Sequence, residues 1–264
     1  MSAWILAAEA SEEFHAPGPA DFEFPPIFGE DGFLTKPMLI IIVGTALIAL
    51  LFYLATRRAD VVPGKLQFAG EGVYGFVRNQ IAADAIGREG IKYVPYLATL
   101  FVFIAVLNIA GIVPFAQFPA TSRIAIPLFL ALISWVIFNY VGIKRQGLGG
   151  YFTNMLFPPG VPKAIYPLLS PIEFMSTVVF RPITLTLRLT FNMFAGHLVL
   201  LLCILGGEFL LFEVQGVIGF AAGGVSLLFG IVMTFFEGFI QLLQAYVFTL
   251  LSAVYIGGAL THDH

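Results

Sequence analysis

Arg188 sits near the middle of PITLTLRLTFNMFAGHLVLLLCIL, residues 182–205, in sequence otherwise suited to lipid. A guanidinium stays protonated at any physiological pH. Placing one at bilayer depth costs about 2.5–3.5 kcal/mol on insertion scales. The apolar lengths on its two sides are nearly equal, which argues against a side chain that snorkels to an interface and for a charge held in an ion pathway. Thr184, Arg188 and Asn192 are spaced by four, so a helix places them in one stripe. His197, nine residues beyond Arg188, points about 180° away at 100° per residue. Further along, Glu237, Gln241, Gln244, Ser252 and Tyr255 share one helical face. Such stripes in lipid-type helices line protein contacts or water. Gln241 suits an interhelical hydrogen bond as well as a proton path, and Glu237 suits a structural partner for His or Arg as well as a proton carrier.

If these two helices pair antiparallel, facing residues have numbers that add to a constant. Arg188 with Gln244 and His197 with Glu237 agree to within two, with the turn centred near Gly216. One register then gives Arg188 an amide neighbour and sets a titratable pair at a separate level nearer the outside. Glu173 lies at the opposite end of the first helix. Ionisable groups thus occupy three depths, with a permanent cation between two proton-accessible regions.

The elements that carry these residues follow from composition. The chain has 264 residues, is 59% hydrophobic and only 11% charged, with a mean hydropathy of +0.93. Soluble globular chains are about 25% charged. Apolar runs near 20 residues recur, which predicts an all-α polytopic membrane protein and excludes the roughly 10-residue strands of an outer-membrane barrel. The single cysteine, Cys203, lies in an apolar run and reads as a packing residue. Two-cysteine metal motifs are absent and no metal or cofactor is expected. There is no P-loop, so no phosphoryl chemistry is expected of the chain itself.

Residues 1–36 read as an acidic leader, with no basic n-region of a cleaved signal peptide; residues 37–264 read as one membrane domain. Spans are predicted at 37–55, 93–115 and 124–143. Asn108 interrupts the second, and Gly111 and Pro114 loosen its end. Residues 63–91 mix Lys65, Arg78 and Arg88 with apolar positions at helical spacing, as in an amphipathic surface helix. Residues 146–166 are rich in Gly and Pro and read as a loop, with a short surface helix near Tyr151. Segments 168–205 and 217–260 are too long for straight spans: 38 residues make about 57 Å of helix against about 30 Å of hydrocarbon. Either each breaks, at Pro182 or at Gly223-Gly224, or both tilt strongly. A tilted hairpin joined by GGEFLLFEVQG is preferred. Nine of the thirteen basic residues fall in the two loops between spans one and two and between spans three and four. Five crossings then place the N-terminus outside and the C-terminus in the cytoplasm.

The stretch RLTFNMFAGHL, with QAYVFTLLSAVY after it, resembles subunit a of F-type ATP synthases, from about Pro37 to Tyr255 and in span order. The resemblance implies a proton-translocating stator subunit of the membrane sector in a bacterial plasma membrane, not catalytic alone, with two offset half-channels. Its implied partners are a ring of c subunits, the peripheral-stalk b subunits, the lipid bilayer and protons, with no nucleic acid. It implies that Arg188 faces the ring carboxylates, that Asn192 and Gln244 are its polar neighbours, and that His197 and Glu237 carry protons. Asn108 matches an intake-side asparagine, while Gly111 occupies a position often acidic in relatives. Many bacterial relatives carry an acid at the His197 position and His at the Glu237 position, an exchange that keeps an acid–imidazole pair. Glu173 stands about one residue out of register with the family's inner-channel acid. Gln241, Ser252 and Tyr255 complete the expected proton pathway.

A proton-coupled secondary transporter is the alternative from another class. It would place a substrate between repeated halves, and the sequence shows no internal repeat. A purely structural scaffold would not need charges at three depths.

Overall fold

A computed structural model describes residues 17–18, 35–57, 63–113, 116–157, 165–214 and 216–260. The predicted acidic leader lies almost wholly outside these residues. Helix α1 is Lys36–Thr56, α2 Lys65–Phe76, α3 Ala83–Ala85, α4 Val94–Ile109, α5 Ala125–Leu156, α6 Tyr166–Met175, α7 Arg181–Phe212 and α8 Val217–Leu260. No strand occurs among the described residues. Five helical segments are long and apolar enough to cross a membrane: 36–56, 88–109, 125–156, 166–212 and 217–260. Their outward faces carry Leu, Ile, Val and Phe, such as Val217, Phe220, Phe229 and Phe235. That inversion of a soluble surface suits hydrocarbon contact, where backbone groups must be satisfied within the helix.

Several boundaries differ from the sequence reading, each for a local reason. The second span ends at Ile109, before residue 115, in a turn where Gly111 packs against Pro119 and Gln241. Of residues 146–166, read as a loop with a short helix near Tyr151, the part as far as Leu156 is helical, so the short helix is present and the loop is shorter than expected. The chain reverses within α5 at Gly147 (φ 74°), a left-handed conformation that glycine takes without steric cost. The short helix beyond it lays the Tyr151 ring where Gly142 lacks a side chain. Residues 158–164 lie outside the described chain.

The fourth segment runs on from Tyr166 through a π-helical stretch, Ser176–Phe180, into α7. It continues to Phe212, seven residues past the expected end at Leu205. Neither of the two alternative breaks, at Pro182 or at Gly223-Gly224, occurs. Pro182 offers no N–H and would clash with the preceding turn of a regular helix, but that turn is the wider π-type, which accommodates it. Gly223-Gly224 stays helical within α8. The turn is therefore short and centred on Gly216 (φ 108°), another position that favours glycine.

Helices α7 and α8 form the most extensive pairing in the chain, with α4 and α5 packed on them. Near the hairpin tip glycines allow close approach. A Cβ on Gly207 would stand 2.8 Å from a Leu227 methyl, and one on Gly223 would stand 2.6 Å from Leu211 Cγ. Two apolar clusters hold the remainder. One joins Leu185, Leu189 and Met193 to Ala245, Phe248, Leu100 and Ile104. The other joins Ile81, Val94 and Leu97 to Phe138, Ala253 and Ile256. Together they fix the rotation of α7 and α8 about their axes.

Candidate functional site

That rotation decides which way each polar residue of α7 points. Leu185, Leu189 and Met193 are buried against α8 and its neighbours, whereas Thr184, Arg188 and Asn192 are exposed on the chain's outward face. Among the described residues Arg188 makes no ion pair. Its charge is presented outward. His197 is buried on the opposite side, 4% exposed, as half a turn's difference in helical phase requires.

The buried side holds a continuous polar array. His197 Nδ1 lies 3.7 Å from Glu237 Oε1. Gln241 donates to the same Glu237 oxygen at 3.2 Å. The Gln241 backbone carbonyl accepts from the Asn108 amide at 3.1 Å, and the Asn108 side-chain oxygen accepts from Thr121. The array thus runs from α7 through α8 and α4 to the turn between α4 and α5. Among the described residues Glu237 Oε2, Gln241 Oε1 and Ser122 Oγ are buried with no hydrogen-bond partner. Buried polar atoms of this kind are the usual ligands of internal water.

One turn towards Arg188, Asn192 donates to Gln244 Oε1 at 2.9 Å. The expected register pairs Gln244 with Arg188; the structure pairs it with Asn192 instead. Facing residues at this level add to a number one helical turn larger than that pairing requires, because α7 and α8 meet through the Leu189, Met193 and Ala245 layer. Among the described contacts Arg188 donates no hydrogen bond to the Gln244 amide oxygen, which accepts from Asn192 instead.

At the other end, Ser252 donates to Ser134 at 3.2 Å and to its own helix at Phe248 O. Ser134 shares a 2.7 Å hydrogen bond with the Tyr96 hydroxyl. Ser252 thus belongs to a hydroxyl cluster between α4, α5 and α8. The Tyr255 ring lies 5.0 Å from the Arg181 guanidinium and 5.7 Å from the Phe138 ring. Glu173 is half-buried on α6 and makes no ion pair among the described residues. On α7 itself, buried Thr186 and Thr190 turn their hydroxyls back onto Pro182 O and Thr186 O.

Sequence reasoning missed Thr121, Ser122, Ser134, Tyr96 and Arg181. Arg181 was visible as a second cation two turns before Arg188. The others depend on tertiary contacts that no local pattern announces. Among the described residues no three His, Cys, Asp or Glu side chains come together to hold a metal.

Five apolar helical segments mark a multi-pass membrane protein, and it carries an outward cation and a buried acid–imidazole pair. A profile of the family described as ATP synthase A chain matches residues 38–257. A protein named ATP synthase subunit a from Nocardioides sp. is 44% identical over 276 residues, covering 100% of this chain and 99% of that relative. Its namesake from Frankia alni is 45% identical, covering 99% and 91%. The one from Streptomyces lividans is 44% identical, covering 95% and 89%. The chain belongs to the ATP synthase subunit a family.

Proposed function

We propose that this chain is the proton-conducting stator subunit of an ATP synthase membrane sector, non-catalytic by itself, and that Arg188 faces the carboxyl groups of a rotating c-ring. The observation that carries the reading is the outward stripe of Thr184, Arg188 and Asn192, set on the side of α7 opposite the buried His197–Glu237 pair. A protonated carboxyl tolerates lipid, whereas an ionised one is heavily penalised there. A ring carboxylate therefore stays near Arg188 until it is neutralised. Protons reach it from the outer side through Thr121, Asn108, Gln241, Glu237 and His197, where the unpartnered polar atoms favour bound water. After rotation the carboxyl releases its proton on the inner side, near Tyr255 and Glu173. Arg188 attracts the ionised carboxylate and repels any cation crossing directly between the two paths. Each charge moved through the membrane potential releases about 2.3 kcal/mol per 100 mV.

The length of the hairpin fits the same reading. Helix α8 has 44 residues, about 66 Å at 1.5 Å per residue, against about 30 Å of hydrocarbon. A strongly tilted pair lies along the curved flank of a ring. The basic loops support an N-terminus outside and a C-terminus in the cytoplasm of a bacterial plasma membrane, and the same reading takes peripheral-stalk b subunits as further partners.

The test is Arg188→Ala in the assembled complex. Proton-driven ATP synthesis in inverted vesicles is expected to stop, while passive leak rises once the catalytic sector is stripped. Arg188→Lys is expected to fail with less leak, since an ammonium loses the delocalised fork and deprotonates when desolvated. Near-normal synthesis by Arg188→Ala overturns the reading.

A further inference from the structure

Arg181 begins α7, seven residues before Arg188. Seven residues are 20° short of two full turns and rise about 10.5 Å, so both cations lie on nearly the same side of one helix. Arg181 is half-buried. Its guanidinium lies 5.0 Å from the Tyr255 ring on α8 and 5.7 Å from the Phe138 ring on α5, and those two rings are themselves 5.7 Å apart. Tyr151, on α5 beyond the Gly147 reversal, is within electrostatic reach of the same guanidinium. Three aromatic residues from two helices, α5 and α8, therefore face one cation.

What holds this cation matters more than that it is held. A carboxylate partner would cancel most of its field. Aromatic faces attract a guanidinium through their quadrupoles and leave its net charge intact. The ion pairs among the described residues are Lys92–Glu89, Arg145–Glu89 and His197–Glu237, none of which includes Arg181. The titratable groups facing it are Tyr255 from α8 and Tyr151 from α5, both phenols and neither a carboxylate. On α6 the ionisable residue is Glu173, eight positions earlier and not paired with it. Arg181 is thus a full positive charge fixed at the end of the hairpin remote from His197 and Glu237.

We propose that Arg181 is a second fixed cation of the ion pathway, a positioning residue whose uncompensated charge, gripped between the rings of Phe138 and Tyr255, favours the ionised state of a ring carboxyl on the inner side and so promotes proton release there. This rests on the stator reading above. The proton leaves the carboxyl to inner-side water, and the carboxylate left behind is stabilised by Arg181 at range before it reaches Arg188. The aromatic grip keeps the guanidinium from swinging into solvent, where its field would be screened.

The test uses the complete ATP synthase in inverted vesicles, whose inner channel opens to the bath. ATP-driven proton pumping is measured against bath pH and divided at each pH by the uncoupled hydrolysis rate, so that the catalytic sector's own pH dependence cancels. With Arg181→Gln the carboxyl holds its proton to higher pH, and the bath-side midpoint is expected to rise by about one pH unit, the order given by a charge near 10 Å at an effective dielectric near 20. Arg181→Lys keeps the charge and the ring contacts and is expected to restore the midpoint. An unchanged midpoint in Arg181→Gln, or equal shifts in the Gln and Lys variants, overturns the proposal. If Arg181→Gln does not assemble, Phe138→Leu loosens the grip with the charge retained; its midpoint is expected to rise in the same direction, and an unshifted profile overturns the proposal equally. Loss of coupling in Arg188→Ala alongside an unshifted Arg181→Gln would sink this inference alone, whereas normal coupling in Arg188→Ala would sink the stator reading beneath it.

Discussion

Asn192 and Gln244 form the hydrogen bond nearest to Arg188 on the α7–α8 seam, and its two ends differ in setting. Asn192 is exposed on the chain's outward face, while Gln244 is only 4% exposed. Among the described residues Gln244 Nε2 is buried with no hydrogen-bond partner, so its whole amide depends on the 2.9 Å bond from Asn192. Asn192→Ala removes a neutral hydrogen bond and leaves a buried amide unsatisfied at both ends, which costs about 1–3 kcal/mol. Gln244→Leu removes the buried amide itself and replaces it with an apolar side chain, which costs less. The double variant is therefore expected to be more stable than Asn192→Ala alone. If the seam opens before the chain leaves the complex, Asn192→Ala speeds heat-induced release by about 5- to 150-fold, the rate equivalent of that energy range. Adding Gln244→Leu should recover most of it. The assay is the rate at which the chain dissociates from purified complex at fixed elevated temperature, followed across the four members of the cycle. Equal rates for Asn192→Ala and the double variant would refute the reasoning, because the penalty would then not come from the orphaned Gln244 amide.

Gly223→Leu is expected to weaken the assembled complex by about 1–3 kcal/mol or more, since its Cβ would stand 2.6 Å from Leu211 Cγ and 2.9 Å from Gly207 O. Gly224→Leu, where a Cβ meets nothing within 4 Å, should be neutral in the same dissociation assay. Exchanging the buried pair, His197→Glu with Glu237→His, should retain more ATP synthesis than either single substitution, because the double variant keeps one acid and one imidazole at the same level. A cysteine placed at Lys144 should react with an impermeant maleimide from the cytoplasmic side only.

The helical pairing of residues 182–205 with 217–260 was legible because period 3.6 survives in a lipid-facing helix. The polar stripe of α8 and the opposition of His197 to Arg188 follow from phase alone. The His197–Glu237 contact followed from adding an antiparallel register to those phases. Its weak point was the partner of Gln244, since a one-turn slip preserves the phase and is decided by the bulk of Leu189 and Met193. Helix ends were harder. Pro182 and Gly206-Gly207 are breaker signals in water, but a π turn accommodates the first and close packing of Gly207 on Leu227 employs the second. Thr121 and Ser134 were invisible because a hydroxyl's role depends on what lies across a helix interface, which no local spacing encodes.

On the proposed reading, the two buried threonines of α7 bear on how such a helix would resist proton leak. Arg188 and His197 stand on opposite sides of a cylinder about 10 Å across, and the amides within it are hydrogen-bonded along their own chain, so water finds no foothold inside. Thr186 and Thr190 share the buried side of the helix with His197, and their hydroxyls are turned back to Pro182 O and Thr186 O instead of outward. A hydroxyl committed in this way is a poor stepping stone for Grotthuss hopping. In electrical terms α7 is the dielectric of a capacitor one helix thick, and its threonines are polar groups insulated at both terminals. On that reading parasitic current would have to creep around the edges of the cylinder, along its seams with α5 and α8, so dense packing of those seams would serve electrical resistance alongside the charge on Arg188.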